Sequence, residues 1–134
     1  IYFSKLVGSQ MIKQKQGKII NISSVLSKFP LIGRLPYSIA KSGIDALTRS
    51  IALEWSKYNI ICNSINPGHI STNLIKKDIN RGLISTKELK QRSITNSIGT
   101  LEDVSNFVLF LVKYGSNFQT GQSYYVDGGF SIKK

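Results

Sequence analysis

At 134 residues and 41% apolar composition, the sequence is one domain's worth of chain with enough apolar content for a core. Its 18 Lys and Arg against 7 Asp and Glu give a net charge of +11. These basic residues are scattered, with no block and no aromatic platform between them, which excludes nucleic acid as the expected partner and leaves an anionic ligand or an acidic carrier compatible.

No apolar run is long enough to span a bilayer and no signal-peptide pattern is visible in these residues, so a cytoplasmic protein without a membrane partner is expected. Residues 1 to 16 read as a helix, with Ile1, Phe3, Leu6, Val7, Met11 and Ile12 at helical spacings and Gly17 as the stop. The pattern opens without an N-cap. Residues 18 to 23 follow as a strand whose run Ile19-Ile20-Asn21-Ile22 is nearly continuous in apolar character, as in a parallel sheet covered on both faces.

The longest helix is expected from Pro36 to about Tyr58, because proline favours the first helical position. Ala40, Ile44, Leu47, Ile51 and Trp55 form one apolar stripe, and Ile39, Ala46 and Leu53 a second. Such a helix needs two partners: the sheet, and a second subunit. Trp55 reads as packing.

Tyr37 and Lys41 are four apart and therefore share a helix face. A phenol is a poor proton shuttle at neutral pH, and a neighbouring ammonium favours its ionised form. Ser24 follows the end of the strand, where open α/β sheets bind their ligands. Its hydroxyl can hydrogen-bond the oxygen that Tyr37 protonates. A lone Tyr-x-x-x-Lys also occurs as ordinary helix surface, so the pair alone does not decide between chemistry and structure.

Ile60 to Ile65 is a second apolar strand containing Cys62, expected to be a buried, inert thiol. With one Cys and one His, neither a disulfide framework nor a metal site is expected. The turn Asn66-Pro67-Gly68-His69-Ile70-Ser71-Thr72 comes next, with Asn66 held extended by proline and Gly68 permitting close approach of a ligand. His69 is expected at the surface. Residues 73 to 98 are polar and basic, with Lys76, Lys77, Arg81, Lys87, Lys90 and Arg92 outnumbering Asp78 and Glu88. Thr100 caps a helix from Leu101 to about Lys113, with Glu102 and Asp103 in its first turn. Gln122 to Val126 is the last strand, closed by Asp127-Gly128-Gly129.

Taken together, Ser24, Tyr37-x-x-x-Lys41, the set Pro67, Gly68, Ile70 and Thr72 in a P-G-x-I-x-T pattern, and the ending T-G-Q-S-Y-Y-V-D-G-G resemble the motifs of the short-chain dehydrogenase/reductase family. The resemblance runs from Gly17 to Gly129 in chain order. It implies an α/β fold, the C-terminal part of a Rossmann-like doubly wound parallel sheet with three strands and their helices. It implies a carbonyl–alcohol oxidoreductase using NAD or NADP, with Ser24, Tyr37 and Lys41 catalytic. Tyr37, Lys41, Pro67, Gly68, Ile70 and Thr72 would contact the cofactor, with the backbone near Ile70 holding the nicotinamide carboxamide. Residues 73 to 98 would be a substrate lid, or else a solvated charged face. The closing Asp-Gly-Gly would be structural, at a subunit contact and the floor of the site. A homo-oligomer, dimer or tetramer, is expected.

The departure lies at the front. A dinucleotide needs a Gly-rich turn after the first strand to cradle its pyrophosphate, and no such cluster occurs in these residues. The family's glycine loop, its N-N-A-G stretch and its catalytic Asn would all fall before Ile1. Residues 1–134 are therefore expected to be the C-terminal catalytic half of one domain, lacking the dinucleotide-binding half. Alone they are expected neither to fold stably nor to turn over, because the strand at Ile19 to Ile22 would present an unpaired apolar edge. The substrate is expected to be a small-molecule or carrier-bound carbonyl, with a 3-oxoacyl chain on acyl carrier protein leading. The alternative is an inactive remnant, or a structural subunit without its own cofactor site. NAD or NADP preference is not legible, nor is the direction of reaction.

Overall fold

A computed structural model describes residues 2–133. Three strands, β1 (Gly17–Ile22), β2 (Ile60–Pro67) and β3 (Ser123–Val126), form one parallel sheet in the order β1-β2-β3. Around it run the helices α1 (Tyr2–Gln14), α2 (Leu35–Trp55), α3 (Asn73–Asn80), α4 (Thr86–Gln91) and α5 (Leu101–Tyr114). Parallel neighbours need a crossover, and α2 supplies the one between β1 and β2. This is the expected α/β architecture. No helix among the described residues is long and apolar enough to cross a membrane.

The sheet is best covered at its centre. Ile60, Cys62 and Ile65 of β2 are fully buried, whereas Ile22 at the end of β1 is 45% exposed. The difference follows from order: β2 has a strand on each side and β1 has one. β2 also runs two residues past the expected Ile65. The Gly68 N–H reaches the Val126 carbonyl at 3.0 Å, and Pro67, which has no N–H to give, lies at the strand's last position.

On α2, Ile51 and Ala52 are buried against Cys62, with Leu47 and Trp55 packed beside them. The second apolar line stays in solvent, since Ile39 is 64% and Leu53 81% exposed. The helix begins at Leu35, one residue before the expected Pro36, so proline is its second residue. At the other end a 3-10 turn, Ser56–Tyr58, leads to Asn59, whose φ of 58° ends the helical run in the left-handed region.

Gly17 is not the stop of α1. That helix closes at Gln14, with Lys15 at φ 52° and the Lys15 and Gln16 N–H groups bonded back to the Ile12 and Met11 carbonyls. Gly17 instead opens β1, where a Cβ would lie 2.5 Å from the Met11 sulfur. Gly8 plays the same part against the Trp55 ring, which packs as expected. Ile1, assigned to this helix from sequence, lies outside the described residues.

α5 carries a capping box in which the Thr100 hydroxyl accepts from the Asp103 N–H and Asp103 accepts from the Thr100 N–H. Its far end is tied to β1 by Lys18, whose amine donates to the Val112 and Gly115 carbonyls at 2.9 Å each. Four orphan carbonyls end any helix, and a cation there also meets the negative end of its dipole.

Candidate active site

Ser24 lies two residues beyond β1, in extended backbone (φ −167°), and is buried. Its Oγ accepts from the Leu26 N–H at 3.2 Å, capping a short 3-10 turn, Val25–Ser27. That bond occupies a lone pair and leaves the hydroxyl proton to be donated elsewhere. Tyr37 and Lys41 stand one turn apart on the first half of α2, with the Lys41 Nζ 5.6 Å from the centre of the Tyr37 ring. Tyr37 is 46% exposed.

Two hydrogen bonds register α2 against β1 at this height. The Lys41 amine donates to the Ile22 carbonyl at 2.9 Å, and the Ser23 hydroxyl donates to the Lys41 carbonyl at 3.0 Å. The ammonium keeps two further N–H donors.

Beneath them sits a buried polar cluster that sequence reasoning missed. Asp45, one turn beyond Lys41, accepts from the Ser27 hydroxyl at 2.5 Å, the Asn66 amide at 2.9 Å and the Ser64 hydroxyl at 3.0 Å. The Asn66 amide also donates to the Ser24 carbonyl at 3.1 Å. Asn66 is fully buried at the end of β2, where the sequence suggested only a turn residue held extended by proline. A buried carboxylate must be compensated, and here three side chains from two elements do so. The legible signal was a single acidic residue four positions past Lys41, on a helix face it shares with Ser38 and Thr48.

The turn after β2 completes this wall. Gly68 is close-packed against Asp127: a Cβ would meet the Asp127 Cα at 2.8 Å. Its smallness is thus first required by the neighbouring strand end, where the sequence suggested approach of a ligand. Ile70 bridges to Gly99, and Thr72 caps α3 by accepting from the Ile75 N–H at 3.3 Å.

Residues 73 to 98 fold into α3 and α4 and lie across the strand ends. α4 starts in a capping box between Ser85 and Glu88 and buries Leu89. The Gly128 carbonyl accepts from the Ile94 and Thr95 N–H groups at 2.9 and 3.1 Å, fastening the segment to the Asp-Gly-Gly ending. Gly128 has φ 60°, and a Cβ on it would lie 2.6 Å from the Thr95 Oγ1.

Between the strand ends and these two helices is a cavity of about 580 Å³. Ser24, Tyr37, Lys41, Pro67, Gly68, Ile70 and Thr72 all line it. So does His69, which is half-buried and not the surface residue expected from sequence. Burial, and then the Arg92 and Arg34 guanidiniums, hold its imidazole near a pKa of about 4, so it is neutral at pH 7. Its ring stands edge-on to Phe130 at 5.6 Å. Cys62, by contrast, does not line the cavity, and burial raises its thiol to about 11. Among the described residues no cluster of His, Cys, Asp and Glu could hold a metal ion.

Residues 1–131 match the family model described as enoyl-(acyl carrier protein) reductase. The chain is 38% identical over 130 residues to a 7alpha-hydroxysteroid dehydrogenase of Paraclostridium sordellii, covering 96% of this chain and 48% of that protein. It is 37% identical to a 3-oxoacyl-acyl-carrier-protein reductase of Buchnera aphidicola, covering 96% and 51%. Among solved structures, a gluconate 5-dehydrogenase of Burkholderia cenocepacia in complex with NADP and tartrate is similar with a TM-score of 0.90 at 29% identity, covering 98% of this chain and 51% of that one. The chain thus spans about half the length of the curated relatives it matches. With the parallel sheet, the ordered motifs and this match from end to end, the chain belongs to the short-chain dehydrogenase/reductase family of oxidoreductases.

Proposed function

We propose that the whole protein carrying this chain interconverts a carbonyl and an alcohol with NAD or NADP, and that residues 1–134 supply its catalytic half. The observation that carries this reading is the meeting of Ser24, Tyr37 and Lys41 with the Pro67–Thr72 turn on one cavity at the strand ends. A dinucleotide's nicotinamide end fits that lining. Lys41, Pro67, Gly68, Ile70 and Thr72 would hold it, and when bound it supplies or accepts the hydride.

In the reducing direction the Ser24 hydroxyl, its lone pair already engaged by Leu26, donates a hydrogen bond to the carbonyl oxygen and stabilises the charge that develops there. Tyr37 gives that oxygen its proton. Lys41, anchored to the Ile22 carbonyl, keeps its remaining donors beside Tyr37, where they would hold the ribose hydroxyls of a bound dinucleotide. The leading substrate is a 3-oxoacyl chain on acyl carrier protein. The Buchnera relative's name supports it, while the hydroxysteroid and gluconate dehydrogenases show how widely substrates differ around the same motifs. The exposed line Ile39, Ala46 and Leu53 on α2 supports self-association into a dimer or tetramer.

The test is oxidation of NADH and NADPH by the purified whole protein against a panel of ketones and 3-oxoacyl thioesters. The Tyr37→Phe variant is expected to lose about 10²- to 10⁴-fold in kcat while still binding dinucleotide in calorimetry. Undiminished turnover in Tyr37→Phe would overturn the assignment of the proton donor. Absence of dinucleotide binding in the unsubstituted protein would overturn the reading as a whole.

A further inference from the structure

We infer that the substrate carries a carboxylate, held at the lid side of the cavity by the guanidiniums of Arg34 and Arg92. The inference rests on the oxidoreductase reading of the same cavity and departs from the 3-oxoacyl thioester as leading substrate: a thioester has no free carboxylate beside its ketone, so the part of the substrate that does not react is here a free acid.

Arg34 precedes the first residue of α2, and Arg92 follows the last of α4, so one comes from the strand-end wall and the other from the lid. Both line the cavity shared with Ser24 and Tyr37. The Arg92 Nη1 lies 3.5 Å from the His69 Nε2, and both guanidiniums are near enough to the His69 ring to oppose its protonation. Arg34, Arg92 and a neutral imidazole thus line one cavity, with Arg92 at the imidazole's edge.

Arg92 has one carboxylate within electrostatic reach, Glu88, and hydrogen-bonds to none among the described residues. Among the described residues no hydrogen bond joins Arg34 or Arg92 to an acidic side chain. Glu88, one turn before Arg92, is engaged by the Ser85 N–H and hydroxyl in the capping box at 2.8 Å each. Asp78 is the one acidic residue lining the cavity, on α3, and it makes no hydrogen bond to either guanidinium among the described residues. A guanidinium presents a planar fork of donors that matches a carboxylate. Against apolar walls such as Leu89 and Ile75, that pairing is screened less than it would be in water.

The experiment uses the whole protein and two matched pairs of carbonyl compounds, acetoacetate with methyl acetoacetate and levulinate with methyl levulinate. Each ester keeps the ketone and removes the charge. The acids are expected to have higher kcat/KM than their esters. Arg92→Met and Arg34→Met are expected to lower kcat/KM for the acids by about tenfold or more, as loss of a charge-assisted hydrogen bond does, and to leave the esters nearly unchanged. Arg92→Lys, which keeps the charge without the fork, is expected to recover part of the loss.

Equal kcat/KM for acid and ester would overturn the inference. So would Arg substitutions that weaken both alike or that raise KM for the dinucleotide. Calorimetric binding of levulinate against methyl levulinate reads the anion site without turnover. Arg92-dependent binding of the acid in a protein that reduces no carbonyl would support the anion site and overturn the oxidoreductase reading. Indifferent binding with normal turnover would do the reverse.

Discussion

The two walls of the cavity are built by opposite means. The strand-end wall rests on a buried cluster in which Asp45, Ser27, Ser64 and Asn66 satisfy one another, and Asn66 in turn holds the Ser24 carbonyl. The lid wall rests on exposed helix caps, the single fully buried side chain of Leu89, and the bonds from residues 94 and 95 to Gly128. Interactions in a dry interior are strong and all-or-none, while exposed ones are weak and local. Ser24, Tyr37 and Lys41, the groups proposed to react, sit on the wall backed by the buried cluster, the arrangement expected if chemistry needs fixed geometry and access needs movement.

The contrast breaks most severely at Asp45. Replacing it with Ala leaves the Ser27, Ser64 and Asn66 donors without this acceptor in a buried site, and the whole protein is expected to lose about 3 kcal/mol of stability. Asp45→Asn, which retains one acceptor oxygen, is expected to lose about 1–3 kcal/mol. Denaturant melts would read both values. Because Asn66 also holds the Ser24 carbonyl, kcat should fall with Asp45→Asn while the Km for dinucleotide changes little. Stability within error of the unsubstituted protein would show that the cluster does not support this wall.

A smaller loss is expected where the lid meets the rigid part. Gly128→Ala places a side chain at φ 60° and brings a Cβ to 2.6 Å from the Thr95 hydroxyl oxygen. A non-glycine residue there costs about 1–3 kcal/mol. The strain falls on the bonds that fasten the lid, so hydrogen exchange should quicken at Ile94 and Thr95 before it does in β2. Equal acceleration in both places would mean that lid and sheet open as one unit.

Much of the fold was legible, and for a physical reason. β1 and β2 carry runs of β-branched isoleucine and β3 the strand-prone Tyr-Tyr-Val, and the Tyr37–Lys41 spacing needs only helix geometry to place both groups together. What escaped depended on contacts between distant residues. Gly17 reads as a helix stop in local terms and is small because the Met11 side chain crosses it. His69 reads as a polar residue in a turn and is half-buried because Phe130 and the lid cover it. Asp45 and Asn66 lie 21 positions apart, and neither sequence position announces that it compensates the other. Residues 73 to 98 read as polar and basic, and the caps at Thr72 and Ser85 are what divide them into two helices.

The finest test of the contrast is a change confined to the lid. In α4 the Ser85 hydroxyl accepts from the Glu88 N–H at 3.1 Å, and Glu88 accepts from the Ser85 N–H at 2.8 Å, an exposed reciprocal cap. Removing the hydroxyl with Ser85→Ala is expected to weaken this helix by about 1 kcal/mol, the usual loss for such a cap. α4 spans only six residues, too short to persist without its cap and its one buried anchor, Leu89. The effect should therefore appear as faster hydrogen exchange in 86–91 and a raised Km for substrate, because Arg92 follows directly on this helix. The global melting midpoint and the Km for dinucleotide should stay put, since among the described residues no hydrogen bond joins α4's first turn to the Asp45 cluster or the Pro67–Thr72 turn. A fall in the global midpoint as large as that of Asp45→Asn would show that the lid is part of the same cooperative unit as the sheet, and that the two walls differ in composition but not in rigidity.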